Sequence, residues 1–221
     1  MNAPRPLTLP EEFVLLAHQP SGTVQSVLRA DAGCAAAELG DLALRGKLRI
    51  RTNKFEFLGI RVYRGTNAVE LLDVSPTGLG WADALLDELA RLSATRPVPV
   101  REWRQARGVE AFDRHRAALV ERGLPHHEPS DIPAQDRYLP HNPTRDALIA
   151  EIETAIGSHA PIGAHMLFRF DLANAIAQLR ITKRGRWVMN RDRGIGPVAD
   201  IPEDLRETSR VLTMVLPERS A

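Results

Sequence analysis

Residues 33–50, GCAAAELGDLALRGKLRI, change hydrophobic period partway along. Cys34, Ala35, Ala36 and Ala37 are small, and Leu39, Leu42 and Ala43 follow at helical spacing. That pattern predicts a buried helix that a neighbouring backbone can approach closely. Asp31 is placed to cap its start. Gly46 is placed to end it in the left-handed conformation, with Arg45 at the negative end of the dipole. Leu48 and Ile50 then alternate with Lys47, Arg49 and Arg51, the two-residue period of a half-buried strand.

The rest of the chain reads outward from this helix. Residues 1–7 form a loose leader. Thr8 with Glu11 makes a capping box, with Pro10 in the first turn, and Phe13, Val14, Leu16 and Ala17 give that helix an apolar side. Residues 23–30 are open between strand and loop. Phe55, Phe57, Ile60, Val62 and Tyr63 predict one strand with Gly59 as a bulge, Arg64–Asn67 a turn, and Val69, Leu71 and Leu72 a second strand. Ser75–Gly78 breaks the sheet, and Trp81, Leu85, Leu86, Leu89 and Leu92 share one face of a helix over 80–93. Two helices, 100–107 and 109–122, are expected next, then a proline-rich polar loop over 124–143. Asn142 caps a helix that turns Leu148, Ile149, Ile152 and Ile156 inward. Residues 164–179 are apolar on nearly every side and predict a central buried helix. Asp200, Pro202 and Glu203 open a last helix, with Leu205, Leu212 and Val215 inward. The fold class is therefore mainly α: a single multi-helix domain over 1–221 around a buried helix, with a small antiparallel β-hairpin or meander.

Composition narrows this little. The 221 residues are 43% hydrophobic and 26% charged, ordinary for a folded chain, with a net charge of +1. The lone Cys34 excludes an internal disulfide and fits a reducing compartment. No long apolar run predicts a transmembrane helix, and the N-terminus lacks the apolar core of a secretory signal.

Catalytic signatures are missing from the sequence. It holds no phosphate loop, nucleophile elbow or dinucleotide fingerprint. His126, His127, Glu128, Asp131 and His141 lack the spacing that fixes a coordination sphere. Cys34 lies among alanines rather than bases and reads as a small buried hydrophobe. Asp171 and Asn174 form a polar seam, with Arg169 as candidate partner. The expectation is a protein that is not an enzyme and has no cofactor and no metal.

Charge is informative locally. Residues 180–193 carry Arg180, Lys183, Arg184, Arg186, Arg191 and Arg193 against Asp192 alone, around Trp187, Val188 and Met189. Cations flanking an aromatic suit an anionic membrane surface, where arginine and lysine meet head groups and tryptophan lies at the interface. They also suit a nucleic-acid backbone. The competing reading is a solvated hairpin whose Trp187 packs into the core. A second set is Arg101, Arg104 and Arg107 at three-residue spacing, with Arg114 and Arg116 after it. Guanidinium groups there suit a phosphate, unless Glu102, Glu110 and Asp113 pair with them.

Leu42-Ala-Leu-Arg-Gly-Lys-Leu48 resembles the LALRG(R/K)L signature of the Golgi phosphoprotein 3-like family. Leu7-Thr-Leu-Pro-Glu-Glu12, Ser75-Pro-Thr-Gly78 followed by Leu85-Leu-Asp-Glu88, and Leu119-Val-Glu-Arg-Gly123 are similar to further family segments in the same order. The resemblance implies a mainly helical domain with a β-hairpin. It also implies a peripheral membrane protein that binds phosphatidylinositol 4-phosphate at a basic pocket and inserts an apolar hairpin tip, here within 126–142. The family's pocket tryptophan falls at Ser26 and its pocket arginines at Ala35, Val109 and Phe112, so no ligand residue is carried over. The candidate lipid-binding residues are instead Arg180, Lys183, Arg184, Arg186 and Trp187, with Arg104 and Arg107. The expected partners are anionic phospholipid head groups, with a protein partner or self-association left open and nucleic acid ranked below. The expected setting is the cytoplasm, reversibly at the membrane. A protein-interaction adaptor without a lipid site is the alternative.

Overall fold

The computed structural model describes residues 5–24, 26–52, 54–57, 60–63, 67–129, 136–158, 160–176, 198–214 and 216, with backbone alone at 54–57 and 60–63. Among these, seven helices and seven short strands follow in the order α1 (Leu9–Ala17), α2 (Val27–Leu44), β1 (Leu48–Arg51), β2 (Lys54–Phe57), β3 (Ile60–Tyr63), β4 (Ala68–Leu71), α3 (Gly80–Ser93), β5 (Val98–Pro99), α4 (Val100–Glu121), β6 (Pro125–Glu128), β7 (Arg137–Pro140), α5 (Asn142–Ser158), α6 (Ala164–Ala175) and α7 (Glu203–Met214). The fold is mainly α, as the hydrophobic pattern predicts.

One hydrophobic cluster runs from Leu9 to Leu216, and α1, α2 and α6 carry its centre. Every residue of α1 is buried, including Glu11 and Glu12. Such a helix needs partners for its carboxylates. The backbone N–H of Thr8 donates to Glu11 Oε2 at 2.7 Å, closing the predicted capping box, and Arg122 donates to Glu11 Oε1 at 2.9 Å. Arg169 of α6 donates to both oxygens of Glu12, at 2.9 and 2.5 Å. Arg169 therefore serves Glu12 rather than Asp171, which accepts from the Ser209 hydroxyl at 2.6 Å.

The alanine-rich stretch forms α2, buried from Ala32 to Ala43. Gly46 ends it at φ +70°, and β1 alternates buried and exposed as its sequence requires. The helix starts earlier than expected: Ser26 takes the cap position, and Asp31 lies inside the second turn. α2 owes its place in the core to close approach. A Cβ on Gly33 would sit 2.2 Å from the Phe13 ring, and one on Gly40 2.9 Å from Leu9 and Phe168.

The β element is more divided than the three predicted strands. β2 pairs antiparallel with β3 where one bulged strand was expected; Gly59 and residues 64–66 of the expected turn lie outside the described residues. β4 pairs antiparallel with β1, Ile50 opposite Val69, and with β5 on its other edge, Val69 opposite Val98. Lys47, just before β1, donates to Asp73 Oδ2 at 2.6 Å and to the Ser75 hydroxyl at 2.7 Å. That ammonium, with the Ser75 backbone N–H, holds the Asp73 carboxyl down to about 2. The Ser75–Gly78 segment is thereby tied to the end of the α2–β1 turn.

Two further expectations change. α4 is one continuous helix of 22 residues where two were predicted. Gly108, between the two predicted helices, lies inside this one, and a Cβ there would lie 3.1 Å from the Asp31 carbonyl carbon. Its missing side chain is what lets α4 cross α2 in contact. The proline-rich segment is not one loop: β6 and β7 pair antiparallel, with Pro125 opposite Pro140 at the ends of the ladder, where a missing N–H is tolerated. α5 begins at Asn142, so His141 takes the cap role: its carbonyl accepts from Thr144 N at 3.0 Å. Leu148, Ile152 and Ile156 point inward as predicted. No helix among the described residues is long and apolar enough to cross a membrane.

Replacing Gly33 by Ala tests the close approach of α1 and α2. Alanine favours the helix by about 0.5–1 kcal/mol, but overpacking a closed core costs about 1–3 kcal/mol. With 2.2 Å available the second term wins. The urea midpoint should fall for Gly33→Ala and stay unchanged or rise for Gly80→Ala, where nothing lies within 4 Å.

Candidate functional site

The α2–α4 crossing carries charge as well as small residues. Glu38 of α2 is fully buried. Arg107 Nε donates to its Oε2 at 3.1 Å, His115 Nε2 lies 3.0 Å from its Oε1, and Arg114 Nη1 lies 3.6 Å from the same oxygen. Arg107 Nη1 also reaches Glu88 of α3 at 3.1 Å and Glu110 at 3.5 Å. The Trp81 ring meets His115 edge-on at 4.9 Å. A carboxylate enclosed this way survives only because guanidinium and imidazole replace water. Burial, then the nearby Glu38 charge, pushes the Cys34 thiol well above its ordinary pKa, so Cys34 is an inert packing residue.

The arginine set of α4 is thus divided by partner. Arg107, a sequence candidate for lipid contact, is 6% exposed and committed to Glu38, Glu88 and Glu110. Arg114 pairs with Glu110, and Arg116 with Asp113 at 2.5 Å. Glu102 pairs with Arg96 rather than with the arginines on its own helix. Arg104 differs. It is half-buried on the same stripe as Gly108, and among the described residues no carboxylate partners it. Its Nε is enclosed without an acceptor, and burial together with the neighbouring Arg101 charge lowers its pKa. Both side chains lie in the first turns of α4, where the backbone dipole is positive and a cation is disfavoured. The pair is an uncompensated positive spot that an anion would relieve.

The four positions of the resembling pocket fall at and around the crossing. Ser26 caps α2, and Ala35 is fully buried. Val109 is 64% exposed, while Phe112 is buried and stacked on His18 at 5.6 Å. Exposed Val27 and Leu28 lie a turn before Asp31, which touches Gly108, so apolar side chains flank the crossing.

One ring stack ties the two strands of the β6–β7 hairpin, and one cation of α4 ties the hairpin to the helices. His127 stacks on Tyr138 at 4.5 Å, and the Arg116 guanidinium lies 4.0 Å from the Tyr138 ring and 5.5 Å from Phe112. His18 donates from Nδ1 to the Val14 carbonyl at 2.8 Å, so its neutral ring keeps a lone pair on Nε2, which is enclosed without a partner. Burial, then the charges of Arg116 and Arg145, lowers its pKa. The hairpin tip, with Asp131 and Ile132, lies outside the described residues, as do Arg180, Lys183, Arg184, Arg186 and Trp187. Sequence spacing alone could not separate Arg104 from Arg107, because Glu38 is 69 positions away from Arg107.

Removing one or the other separates the two roles. Arg107→Ala leaves Glu38 buried beside a weakened pair and should cost about 3–5 kcal/mol. Arg104→Ala removes a cation without a carboxylate partner and should change stability by less than about 1 kcal/mol. Chemical denaturation of both variants measures the contrast.

No curated protein matches the chain. The family model described as Golgi phosphoprotein 3 (GPP34) matches residues 9–208, from the first residue of α1 to the middle of α7. The chain belongs to the Golgi phosphoprotein 3 (GPP34) family.

Proposed function

We propose that this family member is a peripheral membrane protein, not an enzyme, that binds anionic phospholipid head groups reversibly at a cytoplasmic surface. The observation that carries the reading is Arg104: a half-buried guanidinium without a carboxylate partner among the described residues, beside Arg101 at the positive end of α4. Exposed Val27, Leu28 and Val109 add apolar surface around the α2–α4 crossing. The segment 180–193 supplies the larger charge, six cations against Asp192, with Trp187 among them. Near an anionic surface each such cation contributes about 1 kcal/mol, and tryptophan favours the interface.

Phosphatidylinositol 4-phosphate is the head group that family resemblance suggests. The pocket positions hold Ser26, Ala35, Val109 and Phe112, so the charge that would select one head group is not at those four positions. The reading is therefore electrostatic association with anionic surfaces in general. Such binding weakens with salt, because exposed charges are screened over about 10 Å at 0.1 M.

Sedimentation with neutral, phosphatidylserine- or cardiolipin-containing, and phosphatidylinositol 4-phosphate-containing vesicles tests it. Binding should appear with every anionic composition and fade between low and physiological salt. Lys183→Ala, Arg184→Ala and Arg186→Ala together should weaken partitioning about a hundredfold, and Arg101→Ala with Arg104→Ala about thirtyfold. Equal binding to neutral vesicles would contradict the electrostatic reading. Absence of binding to all of them would favour an interaction adaptor instead.

A further inference from the structure

His18 lies where four elements meet. It caps the C-terminus of α1 and is 2% exposed. Its ring stacks on Phe112 of α4 at 5.6 Å and meets Tyr138 of β7 at 6.2 Å, and its carbonyl accepts from Arg145 of α5 at 2.9 Å. His18 also opens a tight turn. It bridges to Val24, the Gln19 N–H donates to the Thr23 carbonyl at 2.8 Å, and Gly22 turns at φ +83°. β7 rests on that turn. The Tyr138 backbone N–H donates to the Gly22 carbonyl at 3.3 Å, and a Cβ on Gly22 would sit 3.0 Å from the Leu139 side chain.

The imidazole suits this place only when neutral. Nδ1 lies 2.8 Å from the Val14 carbonyl, and a carbonyl only accepts, so the ring proton is on Nδ1. Nε2 is enclosed and meets no hydrogen-bond partner among the described residues. A second proton there would create a buried donor without an acceptor, on a charged ring.

The charged neighbours oppose that proton. From α4, the Arg116 guanidinium lies over the same two rings, 5.5 Å from Phe112 and 4.0 Å from Tyr138. From α5 comes Arg145. The carboxylates beside them, Asp113 and Asp146, are 56% and 67% exposed and pair with the guanidiniums. β7 presents the Tyr138 ring, and His127 of β6 stacks on that ring and pairs with Asp136. Burial, then the two arginines, hold the His18 pKa below its ordinary value against the Val14 hydrogen bond. The fold therefore favours the neutral ring. Its contribution is complete above about pH 6.5 and is lost progressively as pH falls from there to the lowered pKa.

We propose that His18 is an acid-sensitive latch: a proton taken up on Nε2 loosens the β6–β7 hairpin and the 18–24 turn from the helices, while the helical body stays closed. A two-stranded hairpin is marginal by itself, so its order depends on docking. The Glu38 cluster that joins α2, α3 and α4 shares no residue with the latch. The device works in the free protein and goes beyond the membrane reading.

Hydrogen–deuterium exchange of the full chain at pH 7.5 and 5.5, corrected for intrinsic exchange chemistry, tests this. Protection in 126–128, 137–139 and 18–24 should fall several-fold at the lower pH. The limit is about tenfold for one proton at an open-state pKa of about 6.5. Protection in 33–43 should not change. His18→Phe keeps a ring against Phe112 with no proton to take up, and should abolish the pH dependence. Imidazole-nitrogen NMR of the unsubstituted chain gives a reading independent of that variant. His18 should be the Nδ1–H tautomer at pH 7.5 and should titrate together with the loss of protection. Equal hairpin protection at both pH values would overturn the proposal. So would a loss that persists in folded His18→Phe, a loss shared equally by 33–43, or an Nε2–H tautomer.

Discussion

The fully buried carboxylate of Glu38 constrains much of the helical body. A charge in that position must be met on several sides, and it is: Arg107, His115 and Arg114 all approach from α4. α4 must therefore lie directly on α2. That in turn requires a small residue at the crossing, which Gly108 provides. Arg107 also draws in α3 through Glu88, so one ion cluster fixes three helices. Replacing such a cluster by apolar residues is often neutral or stabilising in other proteins, so it acts as a positioning device more than as a source of stability.

What was legible in the sequence was local. The alanine-rich helix, its Gly46 stop, the alternating β1 and the Thr8 capping box depend on neighbours within four residues, and apart from the earlier start of α2 at Ser26 each appears as read. The misread elements depend on distant ones. Gly108 has the composition of a break, but the Asp31 backbone makes it a contact residue within one helix. The prolines of 124–143 suggested a loop, yet Pro125 and Pro140 sit opposite each other at the ends of a hairpin ladder. Glu11 and Glu12 made α1 look amphipathic until Arg122 and Arg169 completed their hydrogen bonds. The candidate site followed the same rule. Arg104 and Arg107 were equivalent by spacing and are opposite in role, because only Arg107 has Glu38, Glu88 and Glu110.

The charge pattern of α4 connects fold to function. Arginines from Arg107 onward lie in ion pairs that hold helices together or clamp the hairpin, whereas Arg101 and Arg104 meet no carboxylate among the described residues. A helix that pairs its middle and leaves its positive end uncompensated presents one place for an external anion. The opposite stripe, with Trp103 and Glu110, carries a cavity lined by charges of both signs.

The central claim is that a rigid body, closed around Glu38, meets anionic surfaces with its uncompensated cations. Hydrogen–deuterium exchange of the full chain with and without anionic vesicles tests it most directly. Slowed exchange in residues 100–105 and 180–193, with the buried segments of α2 and α4 around Glu38 unchanged, is the predicted result. Faster exchange within 33–43 or 107–119, or protection confined to other segments, would contradict it.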